Sequence, residues 1–259
     1  MNLSVSRIRM YLRCPRQFEF SYIKGIKVPP SGVLVRGSSF HESLRHNFGT
    51  KLVTGEDAPL EDLKDIYSDQ FAQRIKEAEL REGEKPGNLK DSGIKMVEVY
   101  RNERAPDIMP VMFEQKVELT LDGGDLFVGV IDLVDNAKVI RDFKSATKKP
   151  NDKDVHKDVQ LTAYGWCYYN LTAQDGTPQL PAGYALEYAV HNHTAEKKGS
   201  KPRVLVQPTE RTVNAINDFT EDVAAVRIGI NAGAFPRNTN GWHCSPEYCG
   251  YWNQCVGRK

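Results

Sequence analysis

Residues Val111–Ala146 read VMFEQKVELTLDGGDLFVGVIDLVDNAKVIRDFKSA, three runs rich in β-branched and aromatic residues separated by DGG and DNA. Such runs with turn chemistry between them predict three successive strands in an antiparallel meander. Side chains two apart on a strand share a face, so Asp142 and Lys144 of the third run project together, and the tight turn brings Asp132 of the second run alongside. Two carboxylates and an ammonium are thus expected on one sheet face. Carboxylates so close repel one another unless a hard divalent cation lies between them, and Mg²⁺ favours a few carboxylates plus water and phosphate oxygens.

Outward from this meander the pattern alternates. Upstream, SVSRIRMYLRCPRQFEFSYI predicts two helices broken at Cys14, with Pro15 in the first turn of the second, and GSSFHESLRHNF predicts another, with Ser39 and Glu42 in capping-box spacing. Residues 60–104 are charged and helix-prone, and read as a helical insert or wall. Downstream come a helix in DVHKDVQLTAYGWCYYNL, strands in GYALEYAVHNH and RVLVQP, and a long helix in RTVNAINDFTEDVAAVRIGINAG. The order predicts an α/β fold, a mixed central sheet flanked by helices, as one domain over 1–259.

Composition bounds the rest. Lys and Arg number 35 against 34 Asp and Glu, so any nucleic-acid surface must be local. Arg141, Lys148, Lys149, Lys153 and Lys157 lie on or just after the third strand and are candidates to guide a phosphate backbone, as is the basic stretch HTAEKKGSKPR (193–203). No apolar run reaches a membrane span and the start lacks the apolar core of a secretory signal, so the expectation is a cytoplasmic protein without membrane contact. In a reducing compartment clustered cysteines are more often metal ligands than cystines. Three of five lie at Cys244, Cys249 and Cys255. Cys167, in an apolar helix, reads as packing. Glu114 and Glu118 alternate on the first strand and are not assigned as ligands.

The motifs resemble, in order, the PD-(D/E)XK nuclease superfamily, in its RecB-like exonuclease branch with CRISPR-associated and AddB-type relatives. SSFHESL resembles the first motif with His41 in the metal-ligand position, GVIDLVD carries Asp132, IRDFKSA carries Asp142 and Lys144, and QLTAY supplies Gln160 and Tyr164. The resemblance implies a restriction-endonuclease-like core in which His41, Asp132, Asp142 and the Phe143 carbonyl hold Mg²⁺ or Mn²⁺, with Lys144, Gln160 and Tyr164 serving catalysis. It implies a DNA exonuclease acting on single strands or free ends in recombination, repair, replication or phage-like processing, with recombination or replication proteins as partners. Cys14 with Cys244, Cys249 and Cys255 resembles the iron-sulfur form, so a [4Fe-4S] cluster would clip the amino-terminal helix to the tail. Structural Zn²⁺ suits the same four thiolates. Here four residues separate the first two tail cysteines, where that form often has two. A catalytically idle iron-sulfur nucleic-acid-binding or assembly subunit is the alternative.

Overall fold

The turn that decides the fold is closed by a side chain. Asp135 Oδ1 accepts from the amides of Ala137 and Val139, at 3.0 and 2.9 Å, while Lys138 takes a left-handed φ of 61°. This Asx-type turn joins β3 (Leu126–Asp135) to β4 (Val139–Ala146), which run antiparallel with Leu133 opposite Arg141 and Val134 opposite Ile140. With β2 (Pro110–Thr120) paired to β3, the expected three strands are present. The computed structural model describes residues 2–192 and 201–257, so most of the basic stretch at 193–203 lies outside the described residues.

Helix α6 (Val159–Gln174) carries the chain from β4 to β5 (Gly183–Val190), which lies parallel to β4, and β6 (Arg203–Thr209) returns antiparallel to β5. The sheet order is β1-β3-β4-β5-β6, where β1 is Asn2–Leu3. Parallel and antiparallel pairings coexist, so the sheet is mixed, as the element order predicts.

The chain gathers into two compact units, and β3 passes from one into the other. The larger comprises Pro29–Val117 and Val130–Arg211. Its core joins Phe40, Leu44 and Phe48 of α3 (Gly32–Thr54) to Phe143 of β4 and to apolar residues of α4 (Leu60–Arg74) and α5 (Pro86–Glu103). The segment that reads as an insert or wall packs as a wall of the core: Leu63, Tyr67, Leu89, Met96 and Tyr100 are fully buried. Close packing demands glycine at Gly93, where a Cβ would lie 1.9 Å from the Tyr67 hydroxyl.

Helix α3 begins earlier than the capping-box spacing suggests. Its cap is Ser31, whose Oγ accepts from the Leu34 amide, while Ser39 is buried within the helix. Two prolines before Ser31 hold the chain extended at the cap, and that signal outweighs the S-x-x-E spacing.

The smaller unit comprises Met1–Val28, Glu118–Gly129 and Thr212–Lys259. It holds α1 (Val5–Arg13), α2 (Pro15–Phe18), α7 (Val213–Asn231) and α8 (Trp252–Cys255). Cys14 and Pro15 break the first two helices where the sequence predicts. Tyr11 donates to the Ala234 carbonyl at 2.6 Å and Phe18 stacks on Phe235, which ties the amino-terminal helices to the end of α7.

Candidate active site and cysteine cavity

One hydrogen-bonded chain links the residues singled out in the larger unit. Lys144 Nζ donates to Gln160 Oε1 at 3.1 Å, Gln160 Nε2 donates to the Tyr164 hydroxyl at 2.6 Å, and Tyr164 donates to Asp132 Oδ1 at 2.8 Å. The other Asp132 oxygen meets His41 Nε2 at 3.0 Å. Asp142 joins from β4, its Oδ2 2.6 Å from Lys144 Nζ. The strand period aims Asp142 and Lys144 to one side. The four-residue spacing on α6 aligns Gln160 with Tyr164, and α3 supplies His41.

The two carboxylates are driven apart in acidity. Burial pushes Asp142 up to about 7, with Lys144 opposing the rise and Asp132 adding to it. Burial also works to raise Asp132, but the hydrogen bond and charge of His41 and the Tyr164 hydroxyl outweigh it, so Asp132 sits below the ordinary range. Burial disfavours the charged form of His41, yet Asp132 and the neighbouring Glu114 and Asp142 carry its pKa upward. Near neutrality the proton therefore belongs to Asp142 while Asp132 stays ionised, a state that a bound cation would replace.

Glu114 belongs to this centre as well. Its carboxylate lies 3.9 Å from His41 Nδ1, and burial raises its pKa. A left-handed φ of 48° at this residue interrupts the two-residue period of β2, so Glu118 is exposed while Glu114 turns to the site. Spacing alone groups the two glutamates; only the backbone irregularity separates them. Arg141 departs from expectation in the opposite way. Its guanidinium pairs with Asp135 and with fully buried Glu187, which also binds Arg104 and Tyr100, so it serves the interior and not a phosphate. The Phe143 ring stacks on Phe48 in the core.

Among the described residues, no three His, Cys, Asp or Glu side chains are already closed around one point as metal ligands are. The donor set nevertheless fits a hard cation. Asp142 Oδ1 and Glu114 Oε1 are buried acceptors with no hydrogen-bond partner, and Asp142 Oδ2 faces only the Lys144 ammonium. Buried oxygens in that state are costly unless a cation or water completes them.

In the smaller unit, Cys14, Cys244, Cys249 and Cys255 line one cavity of about 20 Å³, together with Gln17 and His243. All four thiols are free. Burial, then the neighbouring Cys249, Cys14 and Cys255, raises the pKa of Cys244; burial and the same kind of neighbours raise Cys255, against Arg237. Gln17 Nε2 donates to Cys249 Sγ at 3.1 Å, and His243 Nε2 is buried with no partner. Gly241 lies beneath that ring, where a Cβ would come 2.2 Å from it. Convergent thiols that disfavour one another's ionisation are suited to a thiophilic metal group. Cys167, by contrast, is wholly buried in α6, its thiol pushed up to about 12 by burial, in keeping with packing. No helix among the described residues is long and apolar enough to cross a membrane.

The family model for the PD-(D/E)XK nuclease superfamily matches residues 2–256. A solved structure from Eubacterium rectale named "Putative exonuclease" superposes with a TM-score of 0.58 at 13% identity, covering 94% of this chain and 86% of that one. The solved structure of SSO0001 gives a TM-score of 0.35 at 13% identity, over 98% of this chain and 95% of its own. No curated protein matches the chain.

Proposed function

The chain belongs to the PD-(D/E)XK nuclease superfamily, and on that premise we propose that it is a RecB-like, divalent-metal-dependent deoxyribonuclease, acting as an exonuclease on single strands or free ends in DNA recombination, repair, replication or phage-like processing. The observation that carries the reading is the Lys144–Gln160–Tyr164–Asp132–His41 chain set against Asp142, whose Oδ1 is buried without a hydrogen-bond partner while its Oδ2 faces Lys144. The Eubacterium rectale protein of similar fold bears an exonuclease name. The proposal takes 1–259 as one nuclease domain, supported by a family match that spans both units and by β3 running through them.

Asp132, Asp142, His41, Glu114 and the Phe143 carbonyl would hold Mg²⁺ or Mn²⁺, which supplies acidification of water and neutralisation of phosphate charge when bound. Lys144 is held between Asp142 and Gln160 with its ammonium partly exposed. It can therefore offer a proton to the phosphate oxygen on which charge develops. Gln160 and Tyr164 fix Lys144 and Asp132 relative to one another, so the charge that Lys144 meets is set before substrate arrives.

The four cysteines would bind a [4Fe-4S] cluster. Four thiols lining one cavity support a thiophilic metal group, and structural Zn²⁺ on the same residues is told apart by assaying the protein for iron and sulfide. The cluster would join Cys14 to the tail and organise the smaller unit without supplying the catalytic ion.

The test is degradation of end-labelled single-stranded DNA by purified protein. Cleavage should require added Mg²⁺ or Mn²⁺ and stop with EDTA; undiminished cleavage in excess chelator, with no divalent ion retained, would sink the proposal.

A further inference from the structure

We propose that a second site, a basic groove at the rim of the sheet, binds the phosphodiester backbone of a single nucleic-acid strand through Lys148, Lys149, Lys201 and Arg203. The inference rests on the nuclease reading and extends it by giving the strand a path. The groove has a volume of about 500 Å³, and among the described residues its lining includes Thr147 and Asn192 but no acidic and no aromatic side chain.

The sheet builds this groove. Ala146 at the end of β4 lies opposite Val190 at the end of parallel β5, and Val190 is in turn paired with Arg203 at the start of antiparallel β6. One wall therefore comes from the residues just after β4 and the other from the start of β6, so cations face a backbone from two sides. Ligands of open α/β sheets gather at the carboxyl ends of parallel strands, as here.

Charge makes the groove stand out. The chain as a whole is nearly neutral, yet four cations converge here. A concave surface with one sign of charge focuses the field and raises the local concentration of a polyanion. Lys148, Lys201 and Arg203 are exposed. Lys149 reaches Asp152 at 2.8 Å in an exposed pair that costs little to release. Without an aromatic platform the site grips phosphates and not bases, so binding is sequence-independent and salt-dependent.

The groove also leads to the reacting centre. Lys148 follows Lys144 by four residues and lies just past the end of β4, at most about 13 Å of extended chain away, a span that a few nucleotides cover. Arg36, on the same helix as His41, donates to Thr147 Oγ1 at 3.3 Å, so α3 and β4 serve both places.

The triple variant Lys148→Ala, Lys201→Ala, Arg203→Ala tests this by fluorescence anisotropy on labelled oligo-dT and oligo-U strands, in EDTA so that nothing is cleaved. Removing three phosphate contacts should flatten the slope of log affinity against log salt by about 2, since each contact on a single strand contributes roughly 0.7. Affinity at 0.1 M salt should fall more than tenfold. The charge-matched control Lys76→Ala, Lys85→Ala, Lys95→Ala, on the exposed side of the helical wall, should change neither. The loss on DNA, on RNA or on both identifies which backbone the groove takes. An unchanged slope and affinity in a folded triple variant overturns the proposal, as does a loss matched by the control. A wild-type protein that binds strands but never cleaves them would instead sink the nuclease reading and leave this one standing.

Discussion

The carboxylate centre and the cysteine cavity each collect buried donors that fit a cation, but the chain builds them by opposite means. Asp132, Asp142 and Lys144 are brought together by one Asp135-closed turn and the strand period, so the centre is mostly local in sequence. Cys14 and Cys244 lie more than two hundred residues apart and meet only once α1, α2 and the tail have packed. The first site borrows a sheet that exists for other reasons, whereas a group bound at the second would itself hold the ends of the chain. Losing a residue from one should therefore cost chemistry, and from the other stability.

The largest effect is expected at the cysteines. If the four cysteines hold a [4Fe-4S] cluster, anaerobically purified wild-type protein should be brown and contain iron and sulfide, and Cys14→Ala should remove them as completely as Cys249→Ala. By analogy with a disulfide closing so long a loop, it should cost about 5 kcal/mol, or roughly 15 °C in Tm. Cys167→Ala should keep the brown colour. Stoichiometric zinc without sulfide would replace the cluster by a structural zinc site, and full metal content in Cys14→Ala would break the clip.

Next comes Lys144→Ala, which leaves both carboxylates in place. Turnover should fall by 10²-fold or more, about 3 kcal/mol in the barrier, while Tm and iron content stay close to wild type. Near-normal rates would reduce Lys144 to a surface cation and erase the contrast between the two regions.

The sequence made the local half of this contrast legible and left the rest to the fold. Asp142 and Lys144 are related by the strand period, and Gln160 and Tyr164 by the helical one; both periods survive because packing preserves them. His41 and Cys14 have no such local signature and came only through family resemblance. Glu114 was hidden by its left-handed φ, since an alternation rule cannot see the residue that breaks it. Arg141 looked like its basic neighbours, yet buried Glu187, far along the chain, claims it. For residues 60–104 the sequence leaves insert and wall both open because the charged face dominates the composition, while the buried face is sparse in sequence and dense in space.

Acidity offers a smaller effect that tells the two regions apart. Asp142 has a native pKa of about 7, above the ordinary carboxylate value, so the native state holds a proton that the unfolded chain releases. Stability of the metal-free protein should therefore decline between about pH 4 and 7 as far as this group decides it. Mg²⁺ or Mn²⁺ competes with that proton and should raise Tm more at pH 8 than at pH 5.5. Asp142→Asn should abolish the metal-induced rise and be at least as stable as wild type at pH 8 without metal. Thermal melts that show an equal rise at both pH values would remove the proton-for-metal exchange from the account.

The smallest effects come from deleting one hydrogen bond behind each proposed ligand. Tyr164→Phe removes the hydroxyl that donates to Asp132 Oδ1 and receives the Gln160 amide. Two bonds go, but Asp132 keeps His41, so the cost should be about 1 to 2 kcal/mol, read as a roughly tenfold slower cleavage with iron content intact. Gln17→Leu removes the amide that donates to Cys249 Sγ and replaces it with a side chain of similar volume. A hydrogen bond to a cluster sulfur stabilises the more negative state, so its loss should lower the reduction potential of the cluster while cleavage changes less than twofold. The readouts should not cross: a potential shift in Tyr164→Phe, or a tenfold loss of cleavage in Gln17→Leu with unchanged Tm, would mean that the two regions are coupled and that the division between chemistry and stability does not hold.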